Sequence, residues 1–267
     1  MSEGLYAWEH PLPEGFVPVP DPRENDPATA ACMGLTVANK WDRATAGAEP
    51  FVEVTDASGR RVYLARGRHY DFEPGAPRLR MSLVVDYCGD LNADGVPELV
   101  LTERTMGAHC CYTHYVVSMT RPAKRLLVWE KGDAGGGMVP IKAKAGSHYQ
   151  LLSNVVLFPP FGEDHAIGVS YSGAPMLPII FQLEGAEYRP RTFRFSSFLD
   201  AARDKSRRGC VEHPDCEPNE LVHWGVALIV GDWERRRSAI ETEPHIMAAM
   251  NATSTSFREM LIRELGR

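Results

Sequence analysis

The feature that most limits the fold is a series of short, β-prone segments separated by turn residues, from about Gly34 to Pro190. "PFVEVTDASGRRVYLARG" holds two such segments around Asp56-Ala57-Ser58-Gly59, a hairpin in which the glycine supplies a positive φ. "LRMSLVVDY", "PELVLTERT", "CYTHYVVSMT" and, after a turn at Arg121-Pro122, "RLLVWEKG" follow at the spacing of an antiparallel meander. Beyond the glycine cluster "GDAGGGM", the segments "HYQLLSNVVLFPP", "HAIGVSYSG" and "LPIIFQLEGAEYRP" repeat that spacing loosely, the last with a hairpin turn in "LEGAEY". Two diverged four-stranded units, over about 80–130 and 140–190, are the expectation.

The end of the chain changes period. Ser197, with Asp200 three residues later, starts a short helix that Gly209 stops. Asn219 caps a second, with Leu221, Trp224, Leu228 and Trp233 at helical spacing, and Pro244 opens a third. The expected class is mainly β with a C-terminal α-helical segment (α+β). Residues 1–30, rich in proline and acidic groups, form an extended N-terminal arm; 31–195 form the β-rich domain; 196–267 form a helical segment packed on it.

The net charge of −6 argues against a nucleic-acid partner, because phosphate binding needs clustered cations. The basic runs Lys205–Arg208 and Glu234–Arg237 read as solvated helix faces. No apolar run approaches the roughly 18–20 residues of a bilayer helix, so no membrane insertion is expected. The first residues have neither the basic nor the apolar region of a signal peptide, which taken literally means cytoplasm. The six cysteines pull the other way, since an even count suits disulfides in an oxidising compartment. Cys210 with Cys216 is the nearest pairing, across a turn at Pro214-Asp215, with reduced thiols as the alternative. Cys32, Cys88, Cys110 and Cys111 stay unassigned, although Cys32 or Cys88 could serve as partners for the adjacent Cys110 and Cys111.

One connection carries chemistry. In "CGDLNADGVPELVL", Asp90, Asn92 and Asp94 alternate, followed by Gly95 and Glu98. Calcium takes about six to eight hard oxygens, and alternating acidic or amide side chains in a tight loop can supply them. The expected ligands are Asp90, Asn92, Asp94, the Val96 carbonyl and Glu98, around a structural Ca²⁺. An EF-hand is excluded, because its bidentate glutamate would fall on Leu101 and both flanks are β-patterned. The competing reading is an Asx-rich turn with no ion.

This loop between two strands resembles the calcium loop of FG-GAP/VCBS-type repeats, as in integrin-like β-propeller blades. With the downstream "GAHCC", it also resembles bacterial exported proteins that carry one such loop and no assigned chemistry. The resemblance spans about 40 residues, from Ser82 to roughly Met119. It implies a β-rich, calcium-stabilised protein of the cell envelope, periplasmic or secreted. The second unit, at "AGSHYQLLSN", lacks the acidic residues, so one site is expected. Too few blades are visible for a closed propeller, which leaves an incomplete propeller-like or sandwich-like assembly.

"HCCYTH" is a second cluster. On a strand Cys110 and His114 point one way while His109 and Cys111 point the other, so one zinc cannot collect all four without a break. Structural disulfides or buried thiols, a metal site, and a cysteine nucleophile activated by histidine all remain open. Glu163, Asp164 and His165 could form an acid/base group or merely a polar loop, and the sequon at Asn251 lies on an expected helix. The leading functional expectation is a non-enzymatic, calcium-binding envelope protein that recognises a protein partner through Phe158 and Phe161 of "FPPF", which could equally plug the core. An immunity protein against a secreted antibacterial toxin is one form of it. The alternative is a hydrolase using the bound cation or His109/Cys110/His114. A cytoplasmic scaffold with reduced cysteines is a third class.

Overall fold

The computed structural model describes residues 7, 10–22, 28–42, 49–70, 79–104, 110–133, 137–142, 148–156, 176–195 and 197–199. Within them the chain is mainly β, with three antiparallel sheets of five, four and four strands, none closed on itself. The strands are β1 (Val17–Pro18), β2 (Ala28–Cys32), β3 (Leu35–Asp42), β4 (Glu49–Asp56), β5 (Arg61–Arg66), β6 (His69–Tyr70), β7 (Leu79–Arg80) and β8 (Ser82–Gly89). β9 (Glu98–Arg104), β10 (Cys110–Ser118), β11 (Lys124–Asp133), β12 (Val139–Ile141), β13 (Gln150–Val156), β14 (Met176–Glu184) and β15 (Glu187–Pro190) complete the series. The sheets run β2-β3-β4-β5, β1-β8-β9-β10-β11 and β12-β13-β14-β15, with β6 and β7 as a separate ribbon.

Local turn chemistry sets the hairpins. The β4–β5 turn forms where the sequence places it: Asp56 Oδ1 accepts the Ser58 and Arg60 amides, and Gly59 has φ +78. The β2–β3 turn has only two central residues, Met33 (φ +48) and Gly34 (φ +80). Such turns need left-handed backbone at both positions, which suits Gly34 and strains Met33.

The five-stranded sheet is covered on both faces. Leu83, Val85, Cys88, Leu99, Leu101 and Val117 share a core with Val37, Val52 and Val54 of the β2–β5 sheet. Tyr87, Val100 and Val116 share the other core with Leu151, Leu152, Ile179 and Ile180 of the β12–β15 sheet. Adjacent residues such as Leu99 and Val100 therefore serve opposite cores, as the two-residue period requires. β8 changes phase part-way. Val85 pairs Leu101 and Tyr87 pairs Val100, leaving Asp86 as the extra residue of a β-bulge. The bulge turns Tyr87 away from the face that holds Leu83 and Val85.

Two ties fasten the β2–β5 sheet to its neighbour. Cys32 is disulfide-bonded to Cys88, with Cα atoms 6.2 Å apart. Asn39, fully buried, uses its amide as a piece of backbone: it accepts the Val85 N–H at 2.8 Å and donates to the carbonyls of Val85 at 3.0 Å and Pro20 at 2.9 Å.

Several expectations change. The expected boundary at residue 30 cuts through β2, which starts at Ala28, and the N-terminal arm adds β1 to the edge of the five-stranded sheet (Val17↔Cys88). Cys32 and Cys88 bond to each other, so neither is available to Cys110 or Cys111. A third four-stranded meander, β2–β5, precedes the two expected units. "HAIGVSYSG" and the stretch beyond Leu199 in which helices are expected lie outside the described residues.

Candidate functional site

The connection from β8 to β9 sits where all three sheets meet. Leu91, fully buried, belongs to the core shared with the β12–β15 sheet, and its carbonyl accepts the Tyr149 amide at 2.8 Å. His148 donates from Nδ1 to the Asn92 carbonyl. One residue before the loop, Gly89 faces the Phe16 ring, where an added Cβ would stand 2.3 Å from a ring carbon. Immediately before that lies the disulfide cysteine Cys88.

The loop folds on its own oxygens. Asp90 accepts the Asp94 amide at 3.2 Å and the Gly95 amide at 3.0 Å, one on each carboxylate oxygen. Asn92 Oδ1 accepts the Asp94 amide at 3.0 Å, and Asp94 Oδ1 accepts that of Val96 at 2.8 Å. Gly95, at φ +82, has open space where a Cβ would go, so backbone conformation rather than crowding selects glycine. Ala93, at φ +58, also turns left-handed, a feature that the sequence does not announce.

The expected ligands come together in part. The Asn92 amide nitrogen donates to Asp94 Oδ2 at 2.9 Å and to Glu98 Oε1 at 3.4 Å, standing between two carboxylates. Glu98 Oε2 accepts the Leu91 amide at 2.8 Å. Glu98 is fully buried, and burial pushes its carboxyl up to about 7; the Leu91 amide acts against this, and the charges of Asp94 and Asp90 add to it. Among the described residues, no three His, Cys, Asp or Glu side chains converge as a ready-made metal cage. The donor set nevertheless fits a hard divalent cation: three carboxylates and an amide on one short loop, one carboxylate buried and short of positive charge. Asp90, Asn92, Asp94 and Glu98 are the side chains that would hold Ca²⁺. Val96 is placed beside them through its N–H.

The second cluster has a different environment. His114 is fully buried and stacks on Trp129, with ring centroids 5.8 Å apart. Thr102 lies directly across from it on β9, and its hydroxyl donates to Asp86 Oδ2 at 2.5 Å. Because that hydroxyl has one proton to give, its 2.9 Å bond to His114 Nδ1 is donated by the imidazole. Asp86 is held up at about 6 by burial, partly countered by the Thr102 hydroxyl. The Thr102 and His114 end of this Asp–Thr–His chain lies inside the fold and presents no imidazole edge to a solvent-borne substrate, while Asp86 is half-buried. Cys110 belongs to β10, next to irregular pairing with β11. The side chains of Cys110 and Cys111, all of His109, and residues 157–175 with Phe158, Phe161, Glu163, Asp164 and His165 lie outside the described residues. So do Cys210, Cys216 and Asn251.

Sequence reasoning missed a polar network on β9 and β10. Arg68 donates from Nε to Glu103 at 2.7 Å and through its other guanidinium nitrogens to Glu130 and Thr113 at 2.7 and 2.8 Å. The Tyr115 hydroxyl donates to the same buried Glu103 at 2.7 Å. Meander register was the available signal, because Glu103 pairs with Thr113 across the ladder.

In comparisons with protein families, with curated proteins and with solved structures, the chain has no match. The Cys32–Cys88 disulfide points to an oxidising compartment. No helix among the described residues is long and apolar enough to cross a membrane.

Proposed function

We propose that this chain is a calcium-stabilised, non-enzymatic recognition protein of the periplasm or the extracellular space. The observation that carries the reading is the position of Glu98. A fully buried carboxylate sits beneath two more, in a loop whose Leu91 and Asn92 carbonyls hold the β12–β15 sheet and whose neighbour Cys88 holds the β2–β5 sheet. A cation bound there would neutralise the loop at the junction of the sheets, so calcium would stabilise the whole arrangement rather than a surface turn. The three meanders would then be blade-like units in an incomplete, propeller-like assembly, as the loop's resemblance suggests. Burial of His114 weighs against turnover at the second cluster and favours binding as the function. An immunity protein against a secreted toxin is one form of such binding.

Thermal unfolding in millimolar calcium and in EGTA tests the proposal. Wild type gains stability with calcium, by about 2.7 kcal/mol at a hundredfold excess over Kd, and Asp90→Ala loses that gain while remaining folded. Equal melting with and without calcium would reject calcium as the cofactor. A hydrolytic activity lost in Asp90→Ala, with the fold intact, would make the loop catalytic.

A further inference from the structure

A groove of about 550 Å³ opens beside the loop, between the β2–β3 turn, the start of β5 and the β10–β11 turn. Its walls carry the guanidinium-bearing Arg60, Arg61 and Arg121 and the apolar Met33, Pro97 and Met119, and no Asp or Glu lines it among the described residues. Outside the groove, Asp56 pairs with both Arg60 at 3.1 Å and Arg121 at 3.8 Å. One carboxylate thus serves two of the three cations, in a chain whose net charge is −6. The side chains of Arg60 and Arg121 remain 68% and 72% exposed, leaving their charge available to a ligand.

Met33 adds an independent observation. It is 48% exposed and holds a left-handed backbone (φ +48) that glycine or asparagine would adopt at less cost. A flexible, polarisable side chain kept in solvent at a strained position suits an adaptable contact surface. We infer that this groove docks an acidic segment of a protein partner, its carboxylates on Arg61 and Arg121 and a neighbouring apolar side chain against Met33 and Met119. The inference names a surface and a partner chemistry for the recognition function proposed above, and rests on that reading. A nucleic acid fits less well: three cations are few for a polyphosphate, the rest of the chain repels it, and the apolar wall has no role.

A selection of random decapeptides displayed on phage, on immobilised full-length protein in calcium, tests this, followed by fluorescence polarisation of the enriched peptides. Enriched sequences are expected to pair two or more Asp or Glu residues with an apolar residue. Binding should weaken about tenfold or more in Arg61→Gln/Arg121→Gln, and weaken further as salt rises. No acidic consensus, or full affinity in the double variant, overturns the inference. Tighter binding of oligo-dT or of phosphatidylserine vesicles than of the best peptide also overturns it and gives the groove a different ligand. The double variant should keep the calcium-dependent melting shift. Absence of an acidic consensus on wild type that still shows that shift is failure of the groove inference alone, whereas absence of the shift in wild type is failure of the calcium reading.

Discussion

Glu98 and Leu91 are joined across the loop by a 2.8 Å hydrogen bond from the Leu91 amide to the buried Glu98 carboxylate. The oxygen nearest the core is thereby fixed before any cation arrives. Glutamine keeps an acceptor for that amide and removes the buried charge. Glu98→Gln is expected to be at least as stable as wild type in EGTA and to lose most of the calcium-dependent gain. Chemical denaturation of both proteins with and without calcium measures the two effects, which have opposite signs.

Asn39 ties two sheets with three hydrogen bonds to backbone groups of Val85 and Pro20. Asn39→Ala leaves these groups unsatisfied beside a cavity and should cost about 3 kcal/mol. Asn39→Asp should cost more, since a buried carboxylate cannot donate to either carbonyl. Urea unfolding, with unchanged m-values, would register both losses.

Asp86 supplies a pH dependence. Its folded pKa, raised to about 6 from 3.8, means that the folded chain holds a proton between these values that the unfolded chain has released. Stability from this group therefore falls as pH rises from about 4 to about 6, by at most about 3 kcal/mol, less what the partly exposed side chain recovers from solvent. Asp86→Asn keeps an acceptor for Thr102 and should abolish that fall, being more stable than wild type at pH 7 and equal to it near pH 4. Unfolding series at pH 4, 5, 6 and 7 give the comparison. A pH profile unchanged by the substitution would contradict the assignment.

The disulfide closes a long loop, with a sequence separation of 56. Chain-entropy reasoning gives it about 4 kcal/mol. Cys32→Ala/Cys88→Ala should lose stability on that scale, and peptide mapping without reduction should recover the two cysteines in one cross-linked peptide. Denatured, unreduced protein with six reactive thiols would return the chain to the cytoplasmic scaffold reading.

The legible parts of this fold were those written locally. Asp56 to Gly59 and Gly95 announce their turns because one residue's backbone preference or carboxylate suffices. The β8–β11 meander could be read from short β-prone runs at regular spacing. β1 could not, since Val17 and Pro18 become a strand only through pairing with Tyr87 and Cys88 some 70 residues later. β2 hides because its residues, Ala-Thr-Ala-Ala-Cys, have little strand preference and borrow their conformation from β3. The loop's oxygens were legible as a set, but the burial of Glu98 was not, since it depends on a second sheet closing over the loop. The Asp86–Thr102–His114 chain depends on a bulge, and a bulge is a property of two paired strands rather than of either sequence.

Residues 32 and 88 bracket three strands of the β2–β5 sheet, β3, β4 and β5, and are covalently joined. A protease that cuts once anywhere between them releases nothing, because both products stay attached through sulfur. The nicked chain migrates at full mass until a reductant is added. Single cleavage events within this loop are therefore survivable for as long as the disulfide stays oxidised.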